Sequence, residues 1–264
     1  MYHISIDIKD HMSEIIDKTF WKVEPKLVSC TEDEFSALLS DMIPVCKPGK
    51  YNIFGKSVLS PRTSCIFVPD VQHAKALAKS SSNFNYSTTP TYEWDKAPTK
   101  IISIKKQLEK YYNLVFDYVL VNIYHSRKDS IGLHNDEEAM KTDIISVSLG
   151  SKRRFSLVQA VDTGKYLGQG GANDDEDKKG FKHNYTLTNG DVVHMKGPSD
   201  KNISCQYVFK HTIHKMNVGD LTDHVTGKGI DIPKGRKKYE ILDSLIEQNN
   251  IAPARINLTF RKYE

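Results

Sequence analysis

The sequence predicts an α+β fold that is mainly β, arranged as a barrel or a double-sheet jelly roll with covering helices. Short strand-like segments recur from residue 116 onward, separated by Gly, Asn, Asp and Ser. One clear helical pattern precedes them, at 98–112, where apolar residues recur every three or four positions opposite a lysine-rich face. Many short strands with helical cover are typical of barrels and jelly rolls.

Length and composition predict a single domain that spans all 264 residues. We expect no membrane partner, because the chain has no apolar run of the roughly 18 residues that a spanning helix needs and no signal-peptide pattern at its N-terminus. The four cysteines form no C-x-x-C pair, which favours a reduced intracellular protein, in the cytoplasm or the nucleus. We expect a monomer. The net charge of +4 permits a nucleic-acid partner without establishing one.

Residues 1–58 are predicted to form an N-terminal extension, with a strand-like HISIDI and a helix in EDEFSALLSDMI. Residues 59–261 are predicted to form the core. The stretch 80–94 is polar and aromatic and predicts an exposed loop or hairpin. The strand candidates of the core are FDYVLVNIY (116–124), DIISVSLG (143–150), RRFSLVQA (153–160), NYTLT (184–188), DVVHM (191–195), CQYVFKHTIH (205–214) and RINLTFR (255–261).

Two segments interrupt this series of strands and are predicted to be insertions, near 161–183 and 215–250. The first is rich in glycine and charge, which is typical of a loop. The second holds the basic run KGRKK, which ends at Lys238, and a predicted helix, YEILDSLIEQ. Surface insertions of this kind cost little in loop closure, so the core can keep its fold around them.

His134 and Asp136 stand two positions apart in GLHNDEE, directly after a strand-like run. Side chains at i and i+2 of an extended segment point the same way, so both can bind one metal ion. A third ligand has to come from elsewhere in the chain. On strand parity His211 lies on an apolar face with Phe209 and Ile213, which favours it, while His194 stays possible. The histidines considered were His125, His183, His194, His211, His214 and His224.

Two imidazoles and one carboxylate form the facial triad that leaves three positions open on a non-haem Fe(II). Zinc sites more often use sulfur or a third histidine. H-x-D also occurs by chance, and an isolated histidine is more often a surface or core residue than a ligand. The pattern alone therefore leaves metal binding open.

The strand RINLTFR alternates strictly, with Arg255, Asn257, Thr259 and Arg261 on one face. On an edge strand this face would be solvated. Inside a barrel it would bury two guanidinium groups, which is costly without anions, and a dicarboxylate supplies them. Asn122 and Tyr124 share a face of the strand FDYVLVNIY, ten to twelve residues before His134.

Together these segments resemble the AlkB family of Fe(II)- and 2-oxoglutarate-dependent dioxygenases. The run NIYHSRKDSIGLHNDEEAMKTDIISVSLGSKRRFSL is similar to the family's N-x-Y, I-G-x-H-x-D, S-x-S-x-G and R-x-F pattern, in that order. RINLTFR resembles the family's closing R-x-N-x-T-F-R. PRTSCIF and FNYS resemble two upstream elements. The resemblance covers about residues 60 to 261.

The resemblance implies a double-stranded β-helix (jelly-roll) core. It implies that His134, Asp136 and His211 bind Fe(II), since the family's third ligand lies in a segment that FKHTIH fits and DVVHM does not. It further implies that 2-oxoglutarate is the cosubstrate and O₂ the oxidant. The residues implied for 2-oxoglutarate are Arg255 at the distal carboxylate and Asn122, Tyr124, Asn257 and Arg261 around the rest.

The resemblance also implies alkylated DNA or RNA as substrate, with N-alkylated bases such as 1-methyladenine or 3-methylcytosine demethylated to release formaldehyde, succinate and CO₂. The implied substrate-binding residues are Arg62, Tyr86, Ser87 and His134. Tyr86 suits stacking on an unpaired base, and a base in a duplex must be flipped out to react. Two alternatives remain open: an AlkB-like dioxygenase acting on protein or another substrate, and a catalytically silent nucleic-acid-binding module.

Overall fold

The computed structural model describes residues 20–53, 56–80, 88–159, 182–198 and 204–263. The N-terminal HISIDI segment, most of the insertion near 161–183, and Tyr86 and Ser87 lie outside these residues. Within the described part of the chain, no helix has both the length and the apolar character needed to cross a bilayer.

Twelve strands and six α-helices are described. The strands are β1 (Trp21–Glu24), β2 (Lys47–Ile53), β3 (Lys56–Val68), β4 (Thr91–Glu93), β5 (Tyr118–Tyr124), β6 (Ile131–His134), β7 (Ile144–Gly150), β8 (Arg153–Gln159), β9 (Lys182–Leu187), β10 (Val192–Met195), β11 (Phe209–Ile213) and β12 (Arg255–Arg261). The helices are α1 (Glu32–Met42), α2 (Val71–Ser80), α3 (Thr99–Tyr112), α4 (Cys205–Val208), α5 (Val218–Thr226) and α6 (Lys238–Gln248).

The strands form two sheets that are almost entirely antiparallel. The larger sheet has the order β1-β10-β7-β12-β5-β3-β2, with β4 added parallel to β3, and the smaller has the order β6-β11-β8-β9. Most neighbours in each sheet come from distant parts of the chain, as the crossing connections of a jelly roll require. The predicted double-stranded β-helix core is confirmed.

Each face of the larger sheet is buried against a different layer. One face packs on the apolar sides of α1 and α3, through residues such as Leu38 and Ile104. The other face packs against the smaller sheet, through residues such as Val193, Phe155 and Phe209. The apolar stripe of α3 explains its cover of the sheet, since Ile101, Ile104 and Leu108 recur at helical spacing and are buried.

The polar face of RINLTFR lies inside the fold. Strand β12 is central, paired with β5 on one side and β7 on the other, and all seven of its residues are buried. Ile256, Leu258 and Phe260 pack toward the helices. The alternative of a solvated edge strand is therefore wrong.

The predicted strand 205–214 is wrong in its first half. Residues Cys205–Val208 form a short helix, and the strand begins at Phe209. A strand would place Tyr207 on the same inward face as Phe209, but Tyr207 is exposed and Gln206 is buried instead. The alternation predicted from parity holds from Phe209 to Ile213.

The second predicted insertion holds two helices where the sequence predicted one. The helix predicted at YEILDSLIEQ is α6, and α5 precedes it, capped by Asn217, whose side chain accepts from Asp220 N. Met216, Leu221, Val225 and Leu242 form a small buried core between the two helices. The insertion is thus a packed helix pair.

Candidate active site

Three predicted metal ligands meet where β6 and β11 pair. His134 ends β6 and stands directly opposite His211 in the antiparallel register, and Asp136 follows β6 by two residues. His134 Nε2 lies 3.7 Å from Asp136 Oδ1, and His211 Nε2 lies 3.5 Å from Asp136 Oδ2. One potential ligand atom from each residue lies within 4.8 Å of the other two.

Burial and neighbouring charges favour the metal-binding forms of His211 and Asp136, and a hydrogen bond orients His134. His134 Nδ1 donates to the Gly132 carbonyl at 2.8 Å, which orients Nε2 toward Asp136. Burial lowers the pKa of His211 to about 3, so its imidazole is neutral near pH 7. Burial opposes ionisation of Asp136, but Arg261, His211 and His134 outweigh it and lower its pKa to about 2. Neutral imidazoles and an ionised carboxylate are metal-binding forms.

His194, the alternative third ligand, lies on the other side of the larger sheet. Its Nε2 is 3.3 Å from Asp143 Oδ1, and its ring packs edge-on against Tyr112 of α3. Val192, on the same face of β10 as His194, belongs to the core under the helices. Met195, on the opposite face of β10, faces the smaller sheet and the cavity. The structure therefore separates His194 from His134 and Asp136.

Gln206 holds the segment that carries Asp136, and sequence reasoning missed it. Its Oε1 accepts from Asp136 N at 2.9 Å, and its own carbonyl accepts from Asn135 Nδ2 at 3.4 Å. The side chain is 2% exposed. The contact spans 70 residues, so no local pattern could have indicated it.

The predicted cosubstrate residues line up across two neighbouring strands. In the register of β5 and β12, Arg255 stands opposite Tyr124 and Asn257 stands opposite Asn122. The Arg255 guanidinium carbon lies 5.2 Å from the centre of the Tyr124 ring. The amide of Asn257 donates to Ser146 Oγ at 2.8 Å and to the Val147 carbonyl at 3.0 Å. The polar face of β12 and the Asn/Tyr face of β5 thus form one continuous surface.

Arg255 is fully buried with most of its hydrogen-bonding capacity unused. Its Nη2 donates to Ser148 Oγ at 2.8 Å, while Nε and Nη1 have no hydrogen-bond partner among the described residues. Burial lowers the pKa of this guanidinium, and Tyr124 partly opposes that shift. A buried cation with free N–H groups is costly without an anion, and a carboxylate fits its fork geometry.

A second buried arginine adds positive charge beside Arg255. Arg153 begins β8 and donates from Nη2 to the carbonyls of Ser126 and Pro253, each at 2.9 Å. Burial lowers its pKa to about 10, and the charge of Arg255 adds to the effect. The R-x-F pattern contains this residue, but its burial was not foreseen.

Arg261 and Arg62 connect the polar strands to the predicted metal ligands and to the cavity wall. Arg261 Nη2 lies 2.9 Å from Asp136 Oδ2, so this guanidinium neutralises the buried carboxylate. Arg62 Nε donates to Asn122 Oδ1 at 3.0 Å. Both arginines line the same cavity as the two histidines and Asp136.

The cavity has a volume of about 180 Å³ and lies between the two sheets. Its polar wall comes from β3, β5, β6, β11 and β12, and its apolar wall includes Phe155, Met195 and Ile213. It thus joins the predicted metal ligands, the predicted cosubstrate residues Asn122, Tyr124, Asn257 and Arg261, and one predicted substrate residue, Arg62. Tyr86 and Ser87 lie outside the described residues.

The donor set fits Fe(II). Two nitrogen donors and one carboxylate, facing a polar cavity, are the ligands of a facial triad with open positions. A family model described as the 2OG-Fe(II) oxygenase superfamily matches residues 33–261. The chain belongs to this superfamily. It is therefore a 2-oxoglutarate-dependent dioxygenase that uses Fe(II), 2-oxoglutarate and O₂.

Comparison with solved structures gives the dioxygenase a distant neighbour. The structure of OsALKBH1 matches it with a TM-score of 0.46 and 18% sequence identity, over 92% of this chain and 96% of that one. The dioxygenase matches no curated protein sequence.

Proposed function

We propose that this dioxygenase is AlkB-like and demethylates N-alkylated bases, such as 1-methyladenine and 3-methylcytosine, in DNA or RNA. The observation that carries the proposal is the single cavity that joins His134, Asp136 and His211 to Asn122 and Arg62. In the AlkB pattern of the sequence these residues hold the metal, the cosubstrate and the substrate.

In this proposal His134, Asp136 and His211 hold Fe(II), with Asp136 oriented by Gln206 and neutralised by Arg261. The chemistry that Fe(II) supplies when bound is the coupling of 2-oxoglutarate decarboxylation, by O₂, to oxidation of a substrate C–H bond. A hydroxylated N-methyl group then leaves the base as formaldehyde, and the cosubstrate leaves as succinate and CO₂.

The cosubstrate is oriented by the polar faces of β5 and β12. Arg255 binds the distal carboxylate through the N–H groups that are unpartnered among the described residues. Asn122, Tyr124, Asn257 and Arg261 surround the remainder. Phe155, Met195 and Ile213 form the apolar wall that excludes water from the reacting groups.

His134 serves twice in this proposal. It ends β6 at the cavity and is only half-buried, so one edge of its imidazole can bind metal while a face meets an entering base. Arg62 lines the same cavity and adds positive charge there. Tyr86 and Ser87 complete the proposed base-binding set.

The test is an assay of the full chain with Fe(II), 2-oxoglutarate and single- or double-stranded oligonucleotides carrying 1-methyladenine or 3-methylcytosine. We expect the mass of the base to fall by one methylene equivalent and succinate to form with it. Asp136→Ala should abolish both products, whereas His194→Ala, the matched control, should keep them. Succinate without base repair would instead favour a protein or another substrate, and no succinate at all would favour a silent binding module.

A further inference from the structure

The outer face of the smaller sheet carries an unusual charge pattern. Its four strands read IGLH, FKHTI, RRFSLVQ and KHNYTL, and they contain no aspartate or glutamate. Phe155, Leu157 and Phe209 point to the core between the sheets. The residues between them on the same strands, including Arg154 and Lys210, point the other way.

Three exposed cations stand on this outer face: Arg154 on β8, Lys182 on β9 and Lys210 on β11. None of the three has an ion-pair partner in the described part of the chain, whereas some lysines on other surfaces do. Lys100 pairs with Glu34 and Lys105 pairs with Glu109, for example.

The register spaces these cations across the sheet. Lys210 and Lys182 flank Val158 in one row, so their Cα atoms are roughly 10 Å apart at the usual strand spacing. Arg154 lies four residues along β8 from Val158, about 13 Å away. A polyanion with regularly repeated charges can meet all three, and a small anion cannot.

The side chains between the cations are apolar Val158 and the buried hydroxyl of Ser156. Ser156 Oγ donates to Asn184 Oδ1 at 2.6 Å and lies 2.7 Å from His214 Nε2. Burial lowers the pKa of His214, and the charges of Arg154 and Lys182 add to the effect. The charges of Arg154 and Lys182 thus both act on the group between them.

We propose that this face, defined by Arg154, Lys182 and Lys210, binds the phosphodiester backbone of a nucleic acid. The inference rests on the proposed function, since it gives that substrate a second point of attachment. Lys210 is adjacent in sequence to His211, which faces the cavity from the inner side of β11. The proposed binding face and the cavity thus lie on opposite sides of the same strand.

The experiment measures binding of a fluorescein-labelled, unmodified single-stranded oligonucleotide by anisotropy at several salt concentrations. Arg154→Gln, Lys182→Gln and Lys210→Gln combined should weaken binding about tenfold or more and reduce the slope of log K against log salt by about 2 to 3. The matched control combines Lys75→Gln, Lys106→Gln and Lys110→Gln, which remove the same charge from exposed positions on α2 and α3. It should leave affinity and slope near the wild-type values.

Equal losses in the two triple variants, or none in either, would overturn the proposal. Binding of anionic phospholipid vesicles through this face, without oligonucleotide binding, would overturn it too. The assay needs neither Fe(II) nor a methylated base, so it separates the two proposals. If the protein repairs no base but the first triple variant still loses binding, the binding face is supported and the demethylase proposal is not. If the protein is an active demethylase and the first triple variant has an unchanged KM for the oligonucleotide, the binding face is refuted and the demethylase proposal stands.

Discussion

At the residue scale, His194 and His211 differ in what they face. His211 meets Asp136 across the cavity, while His194 contacts Asp143 and Tyr112 on the helix side of the larger sheet. We expect His211→Ala to abolish binding of Fe(II), or of Co(II) as its spectroscopic substitute, because two ligands hold a metal weakly. His194→Ala should keep wild-type affinity. Titration followed by Co(II) absorption checks both variants, and metal loss in His194→Ala would contradict the ligand assignment.

Gln206 is placed to position Asp136, a proposed metal ligand, without being a proposed ligand itself. Its Oε1 holds the backbone N–H of Asp136, and both groups are buried. Gln206→Met keeps the side chain's length but removes the acceptor, and we expect metal affinity to fall by about 10- to 100-fold, as is typical when an outer-shell partner is lost. Gln107→Met, at an exposed glutamine that bonds the Leu27 carbonyl, is the control and should have no effect. Equal metal affinities in the two variants would argue against a positioning role.

Residue patterns indicated some of the candidate site and could not indicate the rest. His134 and Asp136 are neighbours on one extended segment, and the polar face of β12 follows from strict alternation, so a single strand carries each signal. Gln206 reaches Asp136 across 70 residues, and Arg153 is buried by contacts to Ser126 and Pro253. Contacts of this kind depend on the fold and leave no local periodicity.

At the scale of elements, α5 and α6 form a unit with its own core. Leu242 of α6 is 1% exposed and packs with Leu221 and Val225 of α5. Arg127 attaches the pair to the segment after β5, since it forms a two-pronged ion pair with Asp243 at 2.6 and 2.7 Å and stacks over Tyr239. The unit therefore braces the segment that joins β5 to β6.

Because the core of this unit is separate, damage to it should stay local. Leu242→Ala leaves a cavity, and we expect it to lower the free energy of unfolding by about 2–5 kcal/mol. We expect hydrogen exchange to quicken in α5 and α6 while amides of β5 and β12 keep their protection. Glu247→Ala, at an exposed position of α6, is the control. Uniform loss of protection across β12 would show that the unit and the main core unfold together.

Sequence periodicity predicted elements best where one pattern spans a whole element. Helix α3 and strand β12 each repeat their apolar positions over their full length. Helix α5 is only nine residues long and begins Val-Gly-Asp, which weakens the helical signal. In 205–214 a turn of helix, Cys205–Val208, precedes the strand. The strand predicted for the whole segment is therefore correct only for Phe209–Ile213.

At the scale of the whole molecule, the proposed metal ligands and cosubstrate residues lie on different sheets. His134 and His211 belong to the smaller sheet, and the proposed 2-oxoglutarate residues Asn122, Tyr124 and Arg255 belong to the larger one. A ligand that bridges two packed layers stabilises both, because unfolding of either releases it. We therefore expect Mn(II) and 2-oxoglutarate together, without O₂, to raise Tm by more than the sum of the shifts that each ligand causes alone.

Arg255→Met tests the source of that stabilisation. The variant should keep the Tm shift caused by Mn(II) alone and lose the further shift caused by 2-oxoglutarate, which is worth about 2.7 kcal/mol at a hundredfold excess over Kd. Without ligands its Tm should match or exceed the wild-type value, since a buried guanidinium with unpartnered N–H groups among the described residues is replaced by an apolar side chain. Calorimetry of the two proteins in the four ligand states measures each shift. If 2-oxoglutarate stabilises Arg255→Met as strongly as the wild type, the distal carboxylate binds elsewhere and the larger sheet does not hold the cosubstrate through β12.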